Sequence, residues 1–184
     1  DAPDSLGRRS AQTVLAEVLR TLVRLLAPIL SFTTEEVWQF MPESLREGVP
    51  SVHLAGWPTF DLPAEQVETL RAEYAVVLEV RDAVTKSLEA ARNAGTIGKS
   101  QEARIVIAAP EAMVAVLNAR GADSLAEMLI VSSVEVSVAD DLAIEVLPAD
   151  GEKCPRCWNF RTLVTDSEHA GVCARCAKVL AGRG

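Results

Sequence analysis

Two Cys-x-x-Cys pairs near the end of the chain constrain its fold more than any other feature. They are Cys154 with Cys157 and, after fifteen intervening residues, Cys173 with Cys176, and they use all the cysteines present. Each pair can close a turn that directs both thiolates at one point, so the spacing predicts a tetrahedral four-sulfur zinc site. Four sulfur ligands leave no open coordination position, and the predicted role of this single zinc is therefore structural.

Other uses of the four cysteines stay open at this point. Two disulfides would use the same residues, but no secretory signal is recognisable and adjacent Cys-x-x-Cys bridges would staple a fold poorly. A rubredoxin-like iron site has the same ligands. His169 could replace one cysteine, although the set is already complete. We favour zinc on the four cysteines and expect His169 at the surface.

Basic and aromatic residues surround the predicted metal site. A base can stack on an indole while guanidinium groups contact phosphates, so such a group on a metal-held loop suits single-stranded RNA. The alternative is that Trp158 and Phe160 cover the zinc and that the basic residues are ordinary surface. Our candidate RNA contacts are Arg156, Trp158, Arg161, Arg175 and Lys178.

Charge is distributed unevenly along the chain. The net charge of −8 argues against a protein that binds mainly by blanket neutralisation of phosphates. Residues 148–184 nevertheless contain six basic and four acidic residues, so this tail is the more suitable contact for nucleic acid. Residues 84–104 could extend it into one basic strip through Lys86, Arg92, Lys99 and Arg104.

The composition predicts a globular protein with an aliphatic core. Hydrophobic residues make up 49% of the chain and aromatic residues only 4%, which excludes wholesale disorder and a collagen-like fibre. Three charged residues interrupt the apolar stretch at residues 14–32, so no run reaches the roughly 20 uncharged residues of a membrane span. Because the first residue is Asp1 and no signal peptide is recognisable, we expect a soluble, cytoplasmic piece of a longer protein.

Helical patterns dominate the first part of the chain. Residues 10–27 carry a wide apolar stripe that predicts a buried helix ending at proline. Thr33 and Glu36 predict a capping box for a short second helix. Residues 42–63 contain four prolines and predict an irregular linker, with a brief strand at residues 51–54.

A long helix is predicted at residues 64–94, between Pro63 and Gly95. Its apolar residues follow a three-four spacing that favours packing of one face against a partner helix. Arg81 interrupts this apolar face. We expect Arg81 to extend toward solvent or to pair with a carboxylate, rather than to bind a ligand.

The pattern then changes to that of a small three-stranded α/β unit. Strands are predicted at residues 105–107, 130–138 and 142–147, the last two joined as a hairpin, with helices at 110–119 and 124–128. Such a core is marginal by itself, so we expect it to dock on the long helix or on the tail.

The predicted fold class is therefore an α+β fragment of several parts. These are a helical segment with linker (1–63), a long helix and turn (64–102), the α/β unit (103–149) and a four-cysteine zinc finger (150–184).

No catalytic centre is recognisable. Residues 93–100 resemble the end of a phosphate-binding P-loop, but Asn93 stands where glycine is required and the segment follows a helix. His53 and His169 lie far apart, and neither has a recognisable motif around it. We therefore expect a binding or structural module without catalytic residues.

Three stretches resemble the C-terminal region of bacterial-type isoleucyl-tRNA synthetases, which are class I enzymes. Residues 26–38 are similar to late helices of the anticodon-binding domain that the isoleucyl, valyl and leucyl enzymes share. Residues 80–92 with 97–100 resemble the long helix and turn that follow in the isoleucyl enzyme. Residues 151–158 with 172–176 resemble its C-terminal zinc finger, which the valyl and leucyl types do not share.

The resemblance implies zinc on Cys154, Cys157, Cys173 and Cys176, and contact of the helical part and the finger with the anticodon stem-loop of tRNA(Ile). Arg156 would contact phosphate and Trp158 would stack on a base. The family's His-Ile-Gly-His and Lys-Met-Ser-Lys-Ser signatures are missing here. ATP-dependent isoleucylation would therefore belong to a catalytic domain elsewhere in the synthetase.

The implied partners are tRNA(Ile) and the remainder of the synthetase chain, with no membrane contact. A related finger closes certain DNA glycosylases, but the upstream helices argue against DNA as a partner. The alternative function is a zinc-ribbon module for protein interaction or structural support, without RNA contact.

Overall fold

The computed structural model describes residues 2–59, 63–165 and 168–182, and the chain divides into two units, Asp1–Leu62 and Pro63–Gly184. It confirms the predicted α+β class, with a long helix, a small three-stranded sheet and a four-cysteine cluster near the C-terminus. No helix in the described ranges is both long enough and apolar enough to span a lipid bilayer.

The first unit is helical. It contains α1 (Leu6–Leu26), α2 (Ser31–Phe40), α3 (Glu43–Arg46) and a 3-10 turn at Val52–Leu54. The Ser5 hydroxyl caps α1, so this helix begins earlier than predicted. Its predicted burial is wrong, because Val23 is the one α1 residue buried among those described and the rest of its apolar stripe stays accessible.

The predicted capping box at Thr33 and Glu36 is also wrong. α2 begins at Ser31, so Thr33 already lies in its first turn. The Thr34 hydroxyl donates a hydrogen bond to the carbonyl of Leu30 at 2.9 Å. This backward bond extends the preceding turn directly into the helix, and no side chain caps the helix start. The helix still ends before proline, as predicted.

The segment predicted as a linker folds against α2. The Trp38 indole nitrogen donates to the carbonyl of Val49 at 3.0 Å. The Glu35 carboxylate accepts hydrogen bonds from the Ser51 hydroxyl at 2.8 Å and from the Val52 N–H at 3.0 Å. Because a carboxylate pairs with this backbone, a 3-10 turn forms where a brief strand was predicted.

The long helix of the second unit, α4 (Ala64–Asn93), lies where the sequence predicts it. Gly95 follows it with φ of +75°, a conformation that glycine adopts without strain. Val80 occupies the buried face, so Arg81 lies one position outside it and is exposed. Of the two alternatives expected for Arg81, the structure shows the accessible side chain, without an ion pair to a described residue. The buried residues of α4 are Val77, Val80, Val84 and Leu88.

The three-stranded sheet has the order β2-β1-β3. Its strands are β1 (Ala103–Ala109), β2 (Ser133–Val138) and β3 (Ala143–Pro148). β1 is parallel to β2 and antiparallel to β3. The predicted hairpin between β2 and β3 is therefore wrong. Every second residue of β1 is fully buried, and such a strand needs a neighbour on both edges to satisfy its backbone.

Two helices, α5 (Glu111–Arg120) and α6 (Ala122–Leu129), connect β1 to β2. A parallel pair requires a crossover of this kind. Residues of α4, the sheet and both helices form one aliphatic core, which includes Val84, Ile105 and Leu117. The α/β unit thus docks on the long helix, as expected from its small size.

Candidate metal centre and nucleic-acid interface

The four cysteine sulfurs lie within 4.8 Å of one another. The Cys157 and Cys173 sulfurs are 3.7 Å apart, close to the roughly 3.8 Å that tetrahedral Zn–S bonds of about 2.3 Å require. This separation is far longer than a disulfide bond, and all four cysteines are free. His169 is half-buried and is not a member of this cluster.

A two-stranded ribbon and a helix place the four sulfurs. The ribbon pairs β4 (Glu152–Lys153) with β5 (Phe160–Arg161), and the last helix is α7 (Ala174–Ala181). Gly151 has φ of +90°, and a Cβ there would lie 2.7 Å from the Arg161 backbone, so this position requires glycine.

The electrostatics of the cluster favour binding of a cation. Burial opposes ionisation of Cys154, but backbone N–H groups of Cys157, Cys173 and Arg156 outweigh it and lower its pKa to about 6. Burial raises the pKa of Cys157 to about 12 and also raises that of Cys173. The Cys154 thiolate is therefore stabilised by the protein itself, whereas ionisation of Cys157 and Cys173 is favoured by a bound cation.

Arg156 lies against the metal centre. Its guanidinium donates a hydrogen bond to the Cys176 sulfur at 3.4 Å, and this contact raises the pKa of Arg156. A cation beside the sulfurs offsets the negative charge that four thiolates would place around a divalent ion. The all-sulfur donor set suits zinc and is unsuited to magnesium or calcium.

Two other predicted RNA contacts pair with α6. Arg161 lies 3.5 Å from the Asp123 carboxylate, and Arg175 lies 2.6 Å from that of Glu127. These ion pairs join the finger to the α/β unit. Lys178 is exposed on α7 and is not among the residues that line the cleft described below.

Ser132 connects the finger with the turn before β1 and was not predicted as a functional residue. Its side chain is buried, donates a hydrogen bond to the Gln101 carbonyl and accepts one from the Phe160 N–H at 2.7 Å. The available signal was a serine within an apolar run between α6 and β2, where a buried hydroxyl needs partners.

Trp158 is 59% exposed, so it does not cover the metal centre. The apolar residues that pack on the buried cysteines are Leu163 and Val172. Trp158 has φ of +67°, and its N–H donates to the Cys154 carbonyl at 2.8 Å. The loop between the first two cysteines and β5 therefore presents the indole to solvent.

The indole lines a cleft of about 250 Å³, which we call the Trp158 cleft. Lys153 lies on the same ribbon, with its amino group 6.0 Å from the centre of the indole ring. Lys99, part of the predicted basic strip, reaches the cleft from the turn before β1. The lining residues are Lys99, Gln101, Glu102, Lys153, Trp158 and Phe160.

The turn that carries Lys99 is organised by Glu102. Its carboxylate accepts a hydrogen bond from the Gly98 N–H at 2.8 Å, and backbone bonds from Gly98 and Lys99 lower the pKa of Glu102. A Cβ at Gly98 would lie 3.1 Å from this carboxylate. The segment that resembles a P-loop is thus an ordered turn beside the finger.

Comparison with known proteins identifies two matching families. The family described as "Anticodon-binding domain of tRNA ligase" matches residues 1–107, and "Zinc finger found in FPG and IleRS" matches residues 151–179. The second match and the sulfur geometry agree on a structural zinc site, as predicted.

Relatives among curated proteins cover nearly the whole chain. Isoleucine–tRNA ligase of Syntrophotalea carbinolica is 44% identical over 98% of the chain and 20% of its own length. The ligase of Caldicellulosiruptor saccharolyticus is 42% identical over 96% of the chain and 19% of its own length. That of Neisseria meningitidis is 41% identical over 98% of the chain and 19% of its own length. The chain thus spans about a fifth of the length of these relatives.

Proposed function

Because the chain belongs to the family of anticodon-binding domains of tRNA ligases, we propose that it binds the anticodon stem-loop of tRNA(Ile). In this proposal it forms the C-terminal part of an isoleucine–tRNA ligase. The observation that carries the RNA contact is the exposed indole of Trp158, on a metal-held loop and beside two lysines.

Trp158 and the two lysines would contact different parts of the RNA. A base in the loop of the tRNA stacks on the indole, which contributes about 1–3 kcal/mol. Lys99 and Lys153, which both line the cleft, neutralise the adjacent phosphates. The zinc site positions the indole, while Glu102 and Ser132 position the turn, so little ordering is needed on binding.

The other candidate contacts are not among the residues that line this cleft. Arg156 and Lys178 are proposed phosphate contacts, and Arg156 additionally stabilises the charge of the metal centre. Arg161 and Arg175 reach RNA only if their ion pairs with α6 open. We therefore assign these two arginines first to docking of the finger.

The rest of a synthetase is the second proposed partner. The relatives are isoleucine–tRNA ligases about five times longer than this chain, and ATP-dependent attachment of isoleucine would take place in their remaining part. We place this function in the cytoplasm and assign no catalytic residue to the described chain.

Replacement of Trp158 by alanine tests the proposal. We expect the affinity for a fluorescently labelled anticodon stem-loop of tRNA(Ile), measured by anisotropy, to fall about 5- to 100-fold, as loss of one stacked base requires. Val138→Ala is the control, because this apolar side chain is 65% exposed but lies outside the cleft and outside both matched segments, 1–107 and 151–179. Zinc content and melting temperature should stay unchanged in both variants.

Two outcomes would contradict this function. One is that wild-type protein shows no saturable, salt-dependent binding, and the other is that Trp158→Ala binds RNA as tightly as Val138→Ala does. The alternative function is a structural module, and the observation in its support is that the finger docks on α6 and Ser132. It predicts that Trp158→Ala loses stability without a specific loss of RNA affinity.

A further inference from the structure

We infer that a second cleft, next to the Trp158 cleft, binds the sugar-phosphate backbone of the same RNA, an inference that rests on the proposed function. This cleft has a volume of about 320 Å³ and lies between α4, the turn before β1 and the end of α6. We call it the Arg81 cleft. The residues that line it include Arg81, Glu89, Arg92, Ser100, Gln101 and Ile130.

The two clefts adjoin at the 3-10 turn Ser100–Glu102. Gln101 lines both of them, with Lys99 on the side of the Trp158 cleft and Ser100 on the other side. Both clefts belong to the second unit. An RNA strand that leaves the indole can therefore cross this turn and enter the Arg81 cleft without leaving the surface.

Two arginines supply the charge for phosphate binding. Arg81 and Arg92 are exposed on one face of α4, about 16 Å apart along its axis at 1.5 Å per residue. Arg92 donates a hydrogen bond to the Ser100 hydroxyl at 3.3 Å, and Arg81 has no ion pair with any described residue. Glu89 is the carboxylate in this cleft, so the lining keeps an excess of positive charge.

Ile130 gives the cleft an exposed apolar wall. It is 61% exposed and adopts the left-handed conformation, with φ of +58° and ψ of +45°, at the C-terminus of α6. Val131 N–H bonds to the Ala126 carbonyl at 3.0 Å, which closes the usual terminal turn. Glycine or asparagine normally occupies this position, and a β-branched residue is strained there.

Strain at an exposed, branched residue suggests a use for the side chain itself. Ile130 would pack against a ribose or the face of a base, while the guanidinium groups contact the phosphates on either side. A nucleic acid backbone offers this alternation of anionic and apolar groups. An acidic protein segment would use the arginines without the apolar wall, and it is the alternative outcome of the tests below.

Removal of single charges tests the arginines. We expect Arg81→Gln and Arg92→Gln each to weaken binding of the labelled anticodon stem-loop about 3- to 10-fold. Each should also reduce the slope of log affinity against log salt concentration by about one, because one phosphate contact is lost. Arg71→Gln is the matched control, because it removes the same charge from an exposed position of α4 outside both clefts. It should change neither quantity.

Replacement of Ile130 by glycine separates a structural role from a binding role. Glycine relieves the strain, so we expect the melting temperature to rise by about 2 °C. We expect the affinity for the RNA to fall about two- to fivefold in the same protein. A more stable variant with unchanged RNA affinity would overturn the role of Ile130.

The same titrations distinguish failure of this inference from failure of the proposed function. If Trp158→Ala weakens binding while Arg81→Gln and Arg92→Gln match Arg71→Gln, the Arg81 cleft does not bind RNA and an acidic protein partner becomes its candidate. If wild-type protein does not bind the stem-loop, both proposals are wrong.

Discussion

The zinc finger and the three-stranded sheet are both small, but different forces stabilise them. The finger buries three cysteines, and among the described residues the partly buried apolar side chains packed on them are Cys157, Leu163 and Val172. The sheet buries fully covered aliphatic side chains, such as Ile105 and Ile107, under α4 and two further helices. Metal coordination therefore replaces most of the hydrophobic burial that a domain of this size would need.

Ser132 and two ion pairs join these regions without merging their cores. The residues of the finger cluster and those of the main core form separate groups. The contacts between them are polar, through Phe160, Arg161 and Arg175. Because the two cores are separate, we expect that one region can be perturbed while the other stays folded.

Metal removal should have the largest effect. Structural zinc in such sites contributes about 10–16 kcal/mol of apparent binding free energy, so chelation should unfold residues 151–182 and leave the sheet intact. Amide exchange followed by NMR checks this, with protection lost in the finger and kept in β1. Cys176→Ser should reproduce the effect without chelator. Loss of protection throughout the sheet would show that the regions are one cooperative unit.

A cavity in the sheet core should have the next largest effect. Ile105 is fully buried, and Ile105→Ala should lower the free energy of unfolding by about 2–5 kcal/mol. Urea denaturation measures this, and Val138→Ala, at a position that is 65% exposed, should change it by less than about 0.5 kcal/mol. Zinc affinity should be equal in both variants; a drop with Ile105→Ala would contradict the independence of the finger.

Loss of the Ser132 hydroxyl tests the connection itself. Ser132→Ala leaves the Phe160 N–H without its partner, which should cost about 1–3 kcal/mol. Ser137→Ala is the control, because its hydroxyl donates only a long hydrogen bond, of 3.5 Å, to the Ile107 carbonyl. We expect little change in its stability. Thermal unfolding compares the two variants. Equal melting temperatures would mean that Ser132 does not couple the finger to the turn.

The turn between the two regions should respond to pH through Glu102. Hydrogen bonds from the backbone N–H groups of Gly98 and Lys99 lower the pKa of Glu102 in the folded state. The ionised carboxylate therefore stabilises the folded state fully at pH values above the unfolded-state pKa of Glu102. This stabilisation is lost as pH falls through the lower folded-state pKa. The Gly98 amide shift in NMR should titrate below pH 4.5, and Glu102→Gln should remove this transition. A midpoint at the ordinary value would contradict the contact.

The ion pair between the finger and α6 should contribute least. Arg175 and Glu127 are 2.6 Å apart, but both side chains are largely accessible, so their coupling energy should be about 0.2–1 kcal/mol and should fall with salt. A double-mutant cycle with Arg175→Ala and Glu127→Ala measures it. A larger, salt-insensitive coupling would mean that the finger and sheet are more tightly joined than their separate cores indicate.

Candidate residues were predicted better where their roles depend on local sequence. Ligand spacing predicted the sulfur cluster. The sequence left open whether Trp158 is exposed or covers the metal, and the fold decided that it is exposed. Lys99 was expected in a basic strip, but its place in the Trp158 cleft depends on packing of a distant turn. Arg161 and Arg175 were predicted as RNA contacts, and no sequence pattern indicated that each faces an acidic residue of α6.

Sequence alone determined the four-cysteine site, the long helix α4 and the number of strands in the sheet. Ligand spacing, helix periodicity and terminal glycine or proline act over a few residues, so the chain records them directly. Tertiary structure decided the strand order, the partners of Ser132 and the exposure of Arg81 and Ile130. These features depend on which distant segments pair with the same buried backbone groups and fill the same core positions. Local sequence patterns do not specify such long-range contacts.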